Sequence, residues 1–345
     1  MRPALALALG AALALAFAAP ARAAAPADNW ARYKAEFIAP DGRLFDASAE
    51  NVSHSEGQGY ALTLAAFHDD RETFTKVWAW TAANLEIRGD HLAAWRWRPQ
   101  DAPHVLDRNN ATDGDLLIAW GLAEAGKRWK APQYAAEARR IARALAAKVV
   151  FASAYGPALR PGAAGFGDED SKDGPLINLS YWVFPALDAL AEIAPEMDWK
   201  GVERSGLKLY DAAQFGPLQL PCDWISLRAA PQPAQDRAPV FGFELVRAPL
   251  YLAWGPPEAK PRPAALTQAW LGASGGSPTV IDVEKGAIAQ SFDGLGYRAV
   301  AALARCAVDG TKFPDELREL RQDSYYSATL QMLSLTALRV RYPQC

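Results

Sequence analysis

Asn109-Asn110-Ala111-Thr112-Asp113-Gly114-Asp115 runs directly into Leu116-Leu117-Ile118-Ala119-Trp120-Gly121-Leu122-Ala123-Glu124-Ala125. From Asp115 to Ala125 apolar residues fall on nearly every side of a helix, so this segment is predicted to be buried all round. Working outward, helix-length periodicity continues at Gly59–Phe67, Thr73–Leu85, Tyr134–Val150, Tyr181–Ile193, Gly201–Phe215, Leu245–Ala253, Ala264–Leu271, Ala299–Arg305 and Ser324–Arg339. Sustained period-2 alternation is missing. Short strand pieces are expected only near Gly156–Arg160 and Thr279–Asp282. Turn signals such as Pro161-Gly162, Asp173-Gly174-Pro175 and Gly255-Pro256-Pro257 separate the helices, and none is long enough for a flexible linker between domains. About a dozen helices in one unsplit chain imply an all-α fold, a barrel in which an inner ring of helices sits within an outer ring. A helical solenoid would need a repeated signature, and none is present.

The front of the chain reads differently. Arg2, the Ala- and Leu-rich run from Ala4 to Ala19 and the Ala21-Arg22-Ala23 end form a secretory leader, with cleavage expected after Ala23. The remaining 24–345 would be one domain, periplasmic or secreted. Loss of Arg2 and Arg22 takes the formal charge from −3 to −5. No basic stripe exists to hold nucleic acid or anionic lipid, and no later apolar run is long enough to insert in a membrane. Cys222, Cys306 and Cys345 permit one disulfide with one thiol left over, and the spacing leaves the pair open.

The four histidines, His54, His68, His91 and His104, form no H-E-x-x-H pair. No G-x-S-x-G elbow and no Gly-rich phosphate loop occur, and no cofactor or metal is implied. Carboxylate chemistry among aromatics remains, because 12 Trp, 11 Tyr and 13 Phe supply faces on which pyranose rings stack. Two acidic segments stand out. In His54-Ser55-Glu56-Gly57-Gln58-Gly59-Tyr60, two glycines open a helix at a cost, which implies close approach to the backbone there. In the other, Asp113 and Asp115 occupy the first turn of the buried helix. Helix capping is the plain reading of each.

Ser55-Glu56-Gly57-Gln58 together with Ala111-Thr112-Asp113-Gly114-Asp115 resembles glycoside hydrolase family 8, within it the periplasmic endoglucanases of bacterial cellulose synthesis systems. The run from Leu116 to Trp129 resembles that family's signature, with Gly121 where Ser or Ala is usual. Trp95-Arg96-Trp97, Asn178-Leu179-Ser180-Tyr181, Asp223-Trp224, Phe243-Glu244-Leu245-Val246-Arg247 and Asp323-Ser324-Tyr325-Tyr326 follow in family order, so the likeness spans roughly Trp30 to Arg339.

The resemblance implies an (α/α)6 barrel and an inverting endo-hydrolase of β-1,4-glucan, with a cellulose synthase complex as a candidate partner. Glu56 matches the general acid and Asp113 an acidic residue of the sugar subsite beside the cut. Glu244 stands where the family's general base is an Asp, one methylene shorter. Inverting hydrolysis needs a protonated acid and an ionised base about 6.5–9.5 Å apart, with a water between them. Should Glu244 not be the base, Asp223, Asp282, Glu284 and Asp293 are next in line. Arg247, one turn after Glu244, is expected to orient a carboxylate. Trp95, Trp97, Tyr181, Trp224, Tyr325 and Tyr326 are candidates for sugar contacts. Xylan, mixed-linkage glucan and chitosan are alternative substrates, and a non-catalytic glucan-binding protein of cellulose export is the alternative class.

Overall fold

Eleven α-helices form among the described residues: α1 Asn29–Phe37, α2 Ser55–Phe67, α3 Arg71–Asn84, α4 Thr112–Arg128, α5 Pro132–Lys148, α6 Phe184–Ile193, α7 Trp199–Ala212, α8 Ala248–Trp254, α9 Pro261–Ala273, α10 Leu295–Asp309 and α11 Tyr325–Arg341. They come from a computed structural model that describes residues 28–345 apart from 274, 275 and 277. The leader assigned to residues 1–23 lies outside the described residues. None of the described helices is long and apolar enough to cross a membrane.

The burial of each helix follows from its sequence. In α2, α4 and α11 residues on every side are buried, so these helices must be surrounded by others. In α5 and α7 the apolar residues form one stripe, and Arg139, Arg140, Lys200 and Arg204 face water. Contacts run α2–α4–α6–α8–α10–α11 and back to α2, which closes a ring. Outside it α3 packs on α2, α5 on α4 and α6, α7 on α6, and α9 on α8 and α10, and α1 packs against α11. This is the expected (α/α)6 barrel, with one outer position reduced. Between α10 and α11 the chain forms only a 3-10 turn, Asp315–Leu317. The tightest inner contact is between α2 and α4, and glycine sets it. A Cβ at Gly59 would lie 2.5 Å from Leu117 Cβ, and one at Gly121 would lie 2.7 Å from Leu62 Cβ. The close approach predicted at Gly59 is therefore made by a neighbouring helix.

The inner helices are parallel at their first turns. The space beside Gly57 is filled by Tyr325 Oη, the amide of Leu295 donates to Asp323 and that of Gly296 to Ser327. Their positive ends therefore share one face. Small antiparallel pieces line that region. The expected strands appear at Gly156–Leu159 and Thr279–Asp282, the latter in a three-stranded sheet with Ala287–Ser291 and Val240–Phe241.

Cys306 and Cys345 form the disulfide, and Cys222 is the buried free thiol. The bridge spans 39 residues and ties α10 to the chain end. Closing a loop of that size removes about 3–4 kcal/mol of unfolded-state entropy. Cys306→Ser is thus expected to lower the thermal midpoint by roughly 5–10 °C with activity at 25 °C intact, read by calorimetry. An unchanged midpoint would show the bridge to be neutral.

Candidate active site

Glu56 is the second residue of α2 and Asp113 the second of α4. Gly114 brings them together. A Cβ there would lie 2.2 Å from Ser55 Oγ and 2.7 Å from the Glu56 amide, so only glycine lets the two first turns nest. Neither acid is a simple cap. The Glu56 carboxylate turns to Arg247 Nη1 at 2.8 Å and accepts from Tyr60 Oη at 2.7 Å. Asp113 takes the adjacent Gly114 amide on one oxygen and Arg247 Nη2, at 2.8 Å, on the other.

Arg247 is 3% exposed, so it is not half of a surface ion pair. It ends the 3-10 turn Leu245–Arg247, immediately before α8. Its Nη2 also reaches Glu244 at 3.0 Å, and Asn178 donates to the same Glu244 oxygen at 3.2 Å. One guanidinium thus joins three carboxylates from three parts of the chain, where a single partner was expected. Such charge-assisted bonds offset the burial of charge, with Nη1 and Nη2 engaged while the buried Arg247 Nε has no hydrogen-bond partner among the described residues. Burial pushes the Asp113 carboxyl well up, and the Glu56 and Glu244 charges push it the same way against Arg247. Burial also raises Glu244, while Arg247 pulls it back. Burial alone would weaken the charge on Arg247, but the surrounding acids, Glu56 first, hold it firmly cationic. Asp113 and Glu244 therefore hold a proton to higher pH than isolated carboxylates do.

The sequence matches Glycosyl hydrolases family 8 over residues 4–339. The chain belongs to that family. It is similar to the probable endoglucanase of Novacetimonas hansenii, 36% identical over 315 residues that cover 90% of each chain. The endoglucanase of Cellulomonas uda is 37% identical over 257 residues, 71% of each chain. Among solved structures, the endo-β-1,4-glucanase of Acetobacter xylinum superposes with a TM-score of 0.80 at 34% identity, covering 90% of this chain and 97% of that one.

In this family 8 chain the predicted aromatics divide. Tyr181 places its ring 5.6 Å from the Arg247 guanidinium, and Tyr326 donates to the Phe243 carbonyl while facing Arg247. Trp95 stacks on His54, two residues before Glu56, and is anchored by Asp107. Trp224 lies parallel to Phe166, with Arg237 over its ring. Trp97 packs edge-on to Trp80, and Tyr325 is buried against Phe37, so these two build the wall. Three neighbours of the carboxylates were not singled out from sequence: Asn178, Tyr60 and Tyr251, whose hydroxyl meets that of Tyr60 at 2.8 Å. Tyr60 was findable, since it stands four residues after Glu56 on the same helix face. Of the four fallback acids only Asp223 adjoins the cluster. Asp282 pairs with Lys285, and Glu284 and Asp293 are exposed.

Asp115 was read with Asp113 as a helix-start residue. It does stand in the first turn of α4, and its carboxylate accepts from the Ala93 amide and Asn110, fastening the segment that leads to Trp95. Burial pushes Asp115 up to about 7 against those two donors, and burial followed by the Glu244 charge pushes Asp223 to about 7. Between pH about 4 and 7 the folded chain keeps protons that the unfolded chain releases. This stabilisation is complete below that window, falls as pH rises through it and is gone above it. Asp70, held low by Lys34 and Thr73 against the effect of burial, acts only at more acidic pH. The thermal midpoint is expected to be higher at pH 5 than at pH 8, with Asp115→Asn flattening the slope. A midpoint that climbs from pH 5 to pH 8 contradicts this.

Proposed function

We propose that this chain is an endo-acting, inverting β-1,4-glucanase in which Glu56 is the general acid, Glu244 the general base and Asp113 the charge beside the reacting sugar. The supporting observation is the single buried Arg247 that joins all three carboxylates at the face where the inner helices begin. Glu56 and Glu244 hang from opposite nitrogens of that guanidinium. An inverting mechanism places a water between acid and base. In the forward step Glu56 gives its proton to the glycosidic oxygen. A water attacks the anomeric carbon from the other side and gives its proton to Glu244. Arg247, bonded to all three carboxylates, compensates their charge.

The names of the relatives support cellulose-type glucan over xylan or chitosan. We further propose that the chain is exported after cleavage near Ala23 and acts beside a cellulose-synthesising machine. Incubation with carboxymethyl-cellulose, mixed-linkage glucan, xylan and chitosan tests the reading. Reducing ends should appear fastest from carboxymethyl-cellulose, and proton NMR should show the α-anomer as first product. A first product of β configuration rejects the inverting mechanism. No release from any β-glucan leaves only the glucan-binding alternative.

A further inference from the structure

Glu244 does not sit on a regular element. It lies between a two-residue strand, Val240–Phe241, and the 3-10 turn that ends at Arg247. Something must fix that short stretch, because a catalytic carboxylate misplaced by about 1 Å costs on the order of 100-fold in rate. Asp223 is the side chain that does so. One of its oxygens accepts from the amides of Gly242 at 2.9 Å and Leu245 at 3.1 Å, and the other faces the Glu244 amide at 3.4 Å. The Asp223 amide donates in turn to the Val240 carbonyl at 2.7 Å, so the stretch is gripped from both ends. A Cβ at Gly242 would lie 2.7 Å from the Asp223 carboxylate, which shows how closely the backbone closes on it. Asp223 is 6% exposed, and among the described residues no lysine, arginine or histidine forms an ion pair with it. A buried carboxylate without a cation is costly, and these amides are what it is held by.

We propose that Asp223 is a positioning residue for hydrolysis: by clasping the backbone on both sides of Glu244 it sets where the Glu244 carboxylate meets the attacking water. Asp223 is not itself the base, because both of its oxygens are turned to these amides. The inference rests on the reading of Glu244 as the base, and the experiment separates the two.

The test uses full-length mature protein and a soluble cello-oligosaccharide. Asp223→Ala should lower kcat by about 10- to 100-fold with KM within about twofold. Asp223→Asn keeps an oxygen for Gly242 and Leu245 but loses the acceptor facing Glu244, so it should fall between wild type and Asp223→Ala. It also carries the test if the alanine variant does not fold. The decisive readout is azide, which replaces the activated water and makes the position of Glu244 irrelevant. Azide-rescued rates of Glu244→Ala and of Asp223→Asn combined with Glu244→Ala should agree within about twofold. A merely structural Asp223 would raise KM and slow the rescued double variant, and that result overturns the proposal. Unchanged kcat in both Asp223 variants beside an inactive Glu244→Ala overturns it as well. Full activity of Glu244→Ala itself removes the base reading, and the proposal falls with it.

Discussion

Glu56→Gln is expected to slow release of reducing ends from carboxymethyl-cellulose by at least roughly 10²–10⁴-fold, the usual contribution of general acid catalysis. The change is nearly isosteric. The amide oxygen of Gln can still accept from Tyr60 and face Arg247, which now contact Glu56 at 2.7 and 2.8 Å. What is lost is the transferable proton. The thermal midpoint and the affinity for a glucan on native gels should therefore stay close to wild type. Turnover near the wild-type value would remove Glu56 from the mechanism. Asp113→Asn separates a cap from a charge at the reacting sugar in the same assay. Lost stability with intact turnover would mean that Asp113 only caps α4.

Glu244→Ala should be almost inactive and partly rescued by azide, with the α-glycosyl azide as product, because the anion enters from the side of the displaced water. Glu244→Asp is expected to retain or raise activity, since the family motif that the Phe243–Arg247 segment resembles carries an aspartate there. Shortening the side chain withdraws the carboxylate by about 1.5 Å, and displacements near 1 Å decide rates at the 100-fold level. In this chain the longer side chain is held by Asn178 and Arg247. A 100-fold loss in the aspartate variant would show that this grip, tuned to glutamate, sets the working position.

The helices were legible because each buries a long apolar face or is apolar all round. The α4 boundary emerged within a few residues of the predicted one, and the close approach at Gly59 followed from the cost of glycine inside a helix. α1 was missed although Trp30, Tyr33 and Phe37 stand at helical spacing, because the stripe is only nine residues long. The irregular sixth outer position was equally silent. The site was legible only through motif resemblance, because its geometry is non-local. Arg247 and Asp113 are 134 positions apart in sequence, and no local pattern announces that one guanidinium will serve three acids. Asp223 was noted only as a spare base, since three backbone amides converging on it leave no mark in residue types. The Cys306–Cys345 pair was open for the same reason, spacing alone being unable to choose among three cysteines.

The position of α11 has a consequence for how the chain comes to be folded. It is the last helix of the described chain, yet it stands in the inner ring between α10 and α2, the first inner helix. Around it Asn29 bonds to both Arg318 and Leu320, and Arg318 to the carbonyl of Cys345, so the two extremities of the described chain are latched to each other. During synthesis, therefore, α2 and α4 pair early, but one flank of α2 waits for a neighbour almost the whole chain length away. Such distant closure is slow and leaves an apolar seam open to aggregation until α11 arrives. Deleting α11 should consequently trap the chain as an open, sticky arc, read as loss of soluble protein on expression.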